Sequence, residues 1–186
     1  MKRFLSSILL TLLLLCMTFV ESQNVSTMGT DFWFSFMRGR IEASMSVTVT
    51  GIRDCSGVLT NPNTGWTYNF SVTAGGQTVI PITQGNAYNT ASNTVTNKGL
   101  HLTTTDTVSV YASNFLPSSF DATFVLPTEA LRDEYMVQTF ETWRDTLSSE
   151  ILIVATEDST IVDIFPTAIT IGLSPTTGFN VLLNEG

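Results

Sequence analysis

A strict two-residue alternation, repeated segment after segment, is the feature that most limits what this chain can become. In residues 43–50, Ala43, Met45, Val47 and Val49 fall on one face and Ser44, Ser46, Thr48 and Thr50 on the other. Successive side chains of a strand point to opposite faces, so this pattern reads as a half-exposed antiparallel strand. The same period runs through the middle of the chain. Val108, Val110 and Ala112 alternate with Thr107, Ser109, Tyr111 and Ser113. Residues 114–121, with Pro117 and two serines, are turn-rich and predict a loop. A short apolar run, 122–126, is stopped by Pro127. Thr128 is placed to cap one helical turn over 129–134, and 135–140 read as strand again.

The rest of the chain follows suit. Residues 32–37 (FWFSFM) carry aromatics on both faces and predict a core strand, with Arg38 and Arg40 ending it at the surface. Residues 51–57 predict a turn and 58–60 a return strand. Asn61-Pro62-Asn63-Thr64-Gly65 is a strong turn signal. Trp66, Tyr68, Phe70 and Val72 then share a face. Residues 74–77 predict a short hairpin connection to a strand at 78–82, which Pro81 confines to an edge or a bulge. Residues 83–97 are polar and aperiodic, a candidate long surface loop of the kind that carries binding. Residues 140–149 read as a loop or short amphipathic turn. Strands are expected at 151–155, 160–165, 168–173 and 179–183, with turns at 157–159 and 174–178. The fold class is therefore all-β, an antiparallel β-sandwich. The segments around Val47, Pro62 and Phe70 resemble those around Leu152, Pro166 and Phe179. This suggests two related β-modules, 30–140 and 141–186, the second stopping short.

Residues 1–22 stand outside this pattern. Lys2 and Arg3 precede a leucine-rich run, and Val20-Glu21-Ser22 suits cleavage before Gln23, as in a secretory signal peptide. A transmembrane anchor would be at the short end for a span. Lipidation at Cys16 is disfavoured by Leu15. With the leader removed, residues 23–186 suffice for one domain, and no membrane span is expected. The whole chain has a formal net charge of −8, and losing Lys2, Arg3 and Glu21 makes it one unit more negative. An acidic surface argues against nucleic acid and anionic membranes as partners. Cys55 is then the one remaining cysteine, so disulfides cannot hold the domain; it reads as a free thiol in a turn rather than an intermolecular bridge.

No catalytic motif is present. There is no G-x-S-x-G, no H-E-x-x-H and no phosphate-binding loop. His101, the only histidine, stands on the polar face of a strand and reads as structural. Glu129, Asp133, Glu134, Glu157, Asp158, Asp106 and Asp121 read as solvated turn acids rather than a carboxylate pair or calcium loop. No catalytic residue, metal ligand or cofactor is assigned, and the chain is not read as an enzyme. Asn24-Val25-Ser26 and Asn69-Phe70-Ser71 are formal glycosylation acceptors.

Several motifs together resemble the N-terminal domain family of IgGFc-binding protein. They are GTDFWFSFM (29–37), SVTVTG (46–51), NPNTGW (61–66), KGLHLTTTDTVSVYASNF (98–115), FDATFVLPTEAL (120–131) and ATEDST (155–160). The resemblance implies an extracellular β-rich recognition domain, of the kind found in an animal mucus protein and in bacterial, notably Bacteroidetes, surface proteins. It carries over no contact residue, so the binding residues stay unassigned. The implied function is secreted or cell-surface adhesion to a protein or glycoprotein ligand, with IgG Fc and mucin as the named candidates. The rival readings are a non-binding structural spacer and a carbohydrate-binding module using Trp66, Tyr68 or Trp143.

Overall fold

A computed structural model describes residues 26–38, 44–117, 119–139, 149–170 and 177–186. The expected leader, Arg40, Asn24, Trp143 and the expected elements at 140–148 and 171–176 lie outside the described residues. Along the chain, the elements are β1 (Gly29–Phe34), β2 (Phe36–Met37), β3 (Ser44–Gly51), β4 (Cys55–Asn61), β5 (Trp66–Val72) and β6 (Gln77–Ile82). A four-residue helix α1 (Gln84–Ala87) and β7 (Tyr88–Asn89) precede β8 (Leu100–Leu116) and β9 (Ser119–Val125). A 3-10 turn (Thr128–Ala130), β10 (Thr160–Ile164) and β11 (Phe179–Leu183) complete the set. The protein is all-β, and its main sheet has seven antiparallel strands.

That sheet is built as four long rows. One row is β8, seventeen residues without a break. On one side β3 pairs with its second half, Val49 opposite Val110, and β4 with its first half, Leu59 opposite Leu102. On the other side β9 lies along the second half and β1 along the first. The fourth row is β5 with β6. β5 pairs with β4, Cys55 opposite Val72, and β6 pairs with β3, Thr50 opposite Gln77, in one continuous register. The β10–β11 hairpin forms a separate two-stranded sheet, and β2 pairs in parallel with β7.

Residues 51–57 and 74–77 therefore do not reverse the chain as expected. β4 does not return along β3, and β6 does not pair with β5. Both segments are bends at one level of the sheet, opposite residues 105–107 of β8, and the one reversal between these rows is at 61–66. Glycines and polar residues signal a break in a strand, but only pairing decides whether the break turns the chain or merely bends it. Polar contacts fix the crease. Arg53 donates from Nε and Nη2 to the two carboxyl oxygens of Asp106, at 2.7 and 2.9 Å. The Ala74 amide donates to Asp54 Oδ1, and the Ser56 amide to Thr105 Oγ1.

The inward face of every row meets in one core. Phe32, Val47, Val49, Leu59, Ile80, Leu100, Leu102, Val108 and Val110 are fully buried in it. Both ends of the sheet contribute to this single cluster, so the sheet curls over its own face at the crease. The aromatic run splits as a core strand should: Phe32, Phe34 and Phe36 are buried, while Trp33 is half-buried outside. Gly57 is required within β4. A Cβ there would meet the Phe70 ring at 2.4 Å and the Thr103 carbonyl at 2.8 Å.

Other expectations shift. The loop at 114–121 shrinks to a two-residue connection, because Asn114 pairs with Asp121 and Phe115 with Phe120. Thr128 caps nothing; its hydroxyl donates to Asp31 Oδ1 at 2.5 Å, and the helical turn ends at Ala130. Residues 135–139 and 151–154 are not in strands, and among the described residues no backbone pairs with them. Pro81 does sit on an edge strand.

Asn61 is the one buried polar side chain among the described residues. Its Nδ2 donates to the carbonyls of Asn86 (2.6 Å) and Asn97 (3.2 Å). Its Oδ1 accepts the amides of Asn63 and Thr64, both at 3.0 Å. It thus ties the 61–66 turn to both ends of the 83–97 segment. Asn61→Ala strands these groups, at about 1–3 kcal/mol for each left buried without a partner. A thermal melt is expected to show a loss above about 3 kcal/mol; a loss under about 1 kcal/mol would show that this hub does not hold the turn. A second outcome concerns the crease. Hydrogen bonds from Arg53 and then from the Thr107 amide hold the Asp106 carboxyl below the usual aspartate range. Its contribution is present above the ordinary aspartate pKa and is lost as pH falls through the lowered folded value. Arg53→Ala is expected to move the Asp106 titration, followed by NMR, upward; no movement would refute the clamp.

Candidate functional site

The outward face of β6, β3, β8 and the neighbouring β9 carries no charged side chain. Register aligns it in rows: Val79, Thr48, Tyr111 and Phe124 in one, and Pro81, Ser46, Ser113 and Ala122 in the next. Ser44, Phe115 and Phe120 follow. Alternation is the cause, since the apolar partners of these residues fill the core. Tyr111 and Phe124 meet edge to face, with centroids 5.0 Å apart at 85°. Ser46 and Ser113 share a hydrogen bond of 2.8 Å between their hydroxyls. Phe115 is 54% and Phe120 62% exposed, which is high for phenylalanine. Aromatic rings among small hydroxyl side chains, without charge, are the composition of a protein-binding surface. At the crease this face opens into a depression of about 450 Å³, lined by Thr50, Gln77, Ser109 and the backbone of Gly75 and Gly76.

The charge pattern that marks this region was available in the sequence and was missed. No Asp, Glu, Lys or Arg occurs between Cys55 and Asn97, in a chain with 24 such residues. Only the register of β8 and β9 then brings their four aromatic rings onto the same uncharged face.

Among the described residues, those singled out from the sequence lie at separate places in the fold. His101 bonds Asp31 Oδ2 through Nε2 at 2.7 Å and stacks on Trp33, with centroids 4.1 Å apart at 6°. Thr128 holds the other oxygen of Asp31. The cluster pins the 3-10 turn to β1. Glu129, Asp133, Glu134, Glu157, Asp158 and Asp121 are exposed. Among the described residues no group of three His, Cys, Asp or Glu is placed to hold a metal. The 83–97 segment is divided: Ala87 and Tyr88 are buried, Asn89 bonds Ser35 and Phe36, and 90–95 are exposed. Trp66 packs partly on the core, with Tyr68 exposed beside it. Asn69 is exposed on β5.

Comparison with known families adds one finding. The family model described as IgGFc binding protein matches residues 121–186. The resemblance is therefore shown over that stretch, which takes in most of β9, the 3-10 turn and the β10–β11 hairpin. Of the motifs quoted above, FDATFVLPTEAL, from Asp121 on, and ATEDST fall inside it; the others precede it. No curated protein and no solved structure matches. Among the described residues no helix is long and apolar enough to cross a membrane.

Cys55 begins β4 and is buried at the crease, rather than standing in a turn. Burial pushes its thiol pKa up, and the charges of Asp106 and Asp54 add to this. A protonated, covered thiol is a poor nucleophile. The folded protein is expected to react with a disulfide reagent only as fast as it unfolds. Stoichiometric labelling within seconds under native conditions would contradict the buried placement.

Proposed function

We propose that this domain is an exported protein-binding module that docks a protein or glycoprotein on the outward face of β6, β3, β8 and β9. The observation that carries the reading is the uncharged, aromatic-rich composition of that face. The family match supports it by pointing to a binding protein, with IgG Fc as the first ligand to try and mucin as the second. The leader at 1–22 supports delivery outside the cell. A second reading rests on Trp66 and Tyr68. Their rings lie 6.4 Å apart, tilted by 30°, side by side as a sugar platform requires. A spacer without a ligand is the remaining reading.

Immobilised IgG Fc, Fab, mucin and defined glycans separate these readings. The folded protein is expected to be retained by Fc or mucin. Tyr111→Ala and Phe124→Ala, both on the outward face, are expected to weaken retention by about 2 kcal/mol, roughly 30-fold. Retention on glycans that Trp66→Ala abolishes would favour the sugar platform. Retention on no surface, with folding verified by circular dichroism, would leave the spacer.

A further inference from the structure

The edges of the main sheet are not alike. Unpaired backbone on an edge strand invites another strand to add, and proteins guard against this with proline, charge or cover. β6 carries Pro81, and β9 carries Asp121. β1 is flanked by the 3-10 turn, which Thr128 ties to Asp31. Among the described residues β5 has none of these. Its sequence, WTYNFSV, contains no proline and no charge, and Thr67, Tyr68 and Asn69 are exposed in succession. Among the described residues only β4 pairs with it. At its crease end the Thr78 hydroxyl already donates to the Ser71 carbonyl at 2.5 Å, so the free run is 66–70.

We propose that this free edge is a self-association site, at which a second copy of the chain adds its own β5 antiparallel, with Tyr68 facing Tyr68 across a two-fold axis. Two observations single out a second copy as the occupant. First, the chain is acidic, at −8, so two copies meet without repulsion only along a neutral strip. β4, β5 and the turn joining them form such a strip. Second, the strip is self-complementary under a two-fold rotation, as an isologous contact requires. In this register Thr67 faces Asn69 of the second copy on one side of the sheet, and Tyr68 faces Tyr68 on the other. Aromatic–aromatic and hydrogen-bonding pairs are the favourable cross-strand combinations. Five paired residues make a small interface, so the association is weak and concentration-dependent. The contact leaves the aromatic face of β8 and β9 open, and so is independent of the ligand reading.

Directly opposed residues of a non-hydrogen-bonded antiparallel pair have Cα atoms about 4.5 Å apart, within disulfide range. Tyr68→Cys is therefore expected to form a disulfide-linked dimer under mild oxidation at least tenfold faster than Val79→Cys on the neighbouring edge strand, an effective-concentration effect. Cys55 is buried and does not compete. Asn69→Lys and Thr67→Lys, which place a charge on the edge, are expected to abolish the concentration-dependent dimer in sedimentation velocity while keeping the native circular dichroism spectrum. A wild-type protein that stays monomeric at high concentration overturns the proposal. So does a dimer that both lysine variants leave intact, or equal crosslinking from Val79→Cys. Either lysine variant suffices if the other fails to fold.

Discussion

Every row of the main sheet takes its register, directly or through one neighbour, from the backbone of β8. Four strands pair with it, two on each side. Its inward positions, Leu100, Leu102, Val108, Val110 and Ala112, are all buried and all of one parity. That parity survives the bend at 104–107, where polar side chains replace apolar ones. A one-residue slip in any pairing would turn an apolar set out to solvent, so the core and the register enforce each other. The crease, the Arg53–Asp106 clamp and the bends at 51–57 and 74–77 are consequences. A sheet this long can bury one face against itself only by folding over.

The same alternation that fills the core fixes what the outside must be. Every inward Val or Leu places a Ser, Thr or aromatic residue outward. On β3, β6, β8 and β9 those outward positions carry no charge, while the acids of the described residues sit at the crease, on the rims and from Asp121 onward. Solubility alone would favour charges on an open β-face. Leaving them out over four adjacent strands, and along the β5 edge, marks surfaces suited to being covered. The face and the edge lie on different strands, so both can be covered in one molecule.

The chain's last residues, just after β11, meet the main sheet at a small seat. The Gly99 amide donates to the Gly186 carbonyl, and Asn63 Nδ2 donates to the carbonyls of Glu185 and Gly186. The Gly186 amide donates to Ala155, whose bridge to Glu185 is the parallel contact there. A Cβ on Gly99 would come within 2.3 Å of Gly186 Cα, so the two backbones touch where side chains would hold them apart. Trp33, stacked on His101, closes the seat from β1. Of the aromatic run, Trp33 is the residue that lies against Gly186, and His101 stacks on it.

Strand identity was legible wherever alternation was clean. The segments around Val47, Phe70 and Val110 all became strands, because a period of two needs no partner to be recognised. The core reading of Phe32, Phe34 and Phe36 followed from hydrophobicity alone. The acidic charge was a matter of composition. What the residues could not state was pairing. That 51–57 bends rather than reverses, that 114–121 is mostly strand and that 135–139 is not all depend on which backbone lies alongside. So do the uncharged outward face and the β5 edge. Tyr111, Phe115, Phe120 and Phe124 are scattered outward residues until the β8–β9 register sets them side by side. Hydrogen-bonding groups on a strand are identical at every residue, so only the closing of the whole sheet around its core decides who neighbours whom.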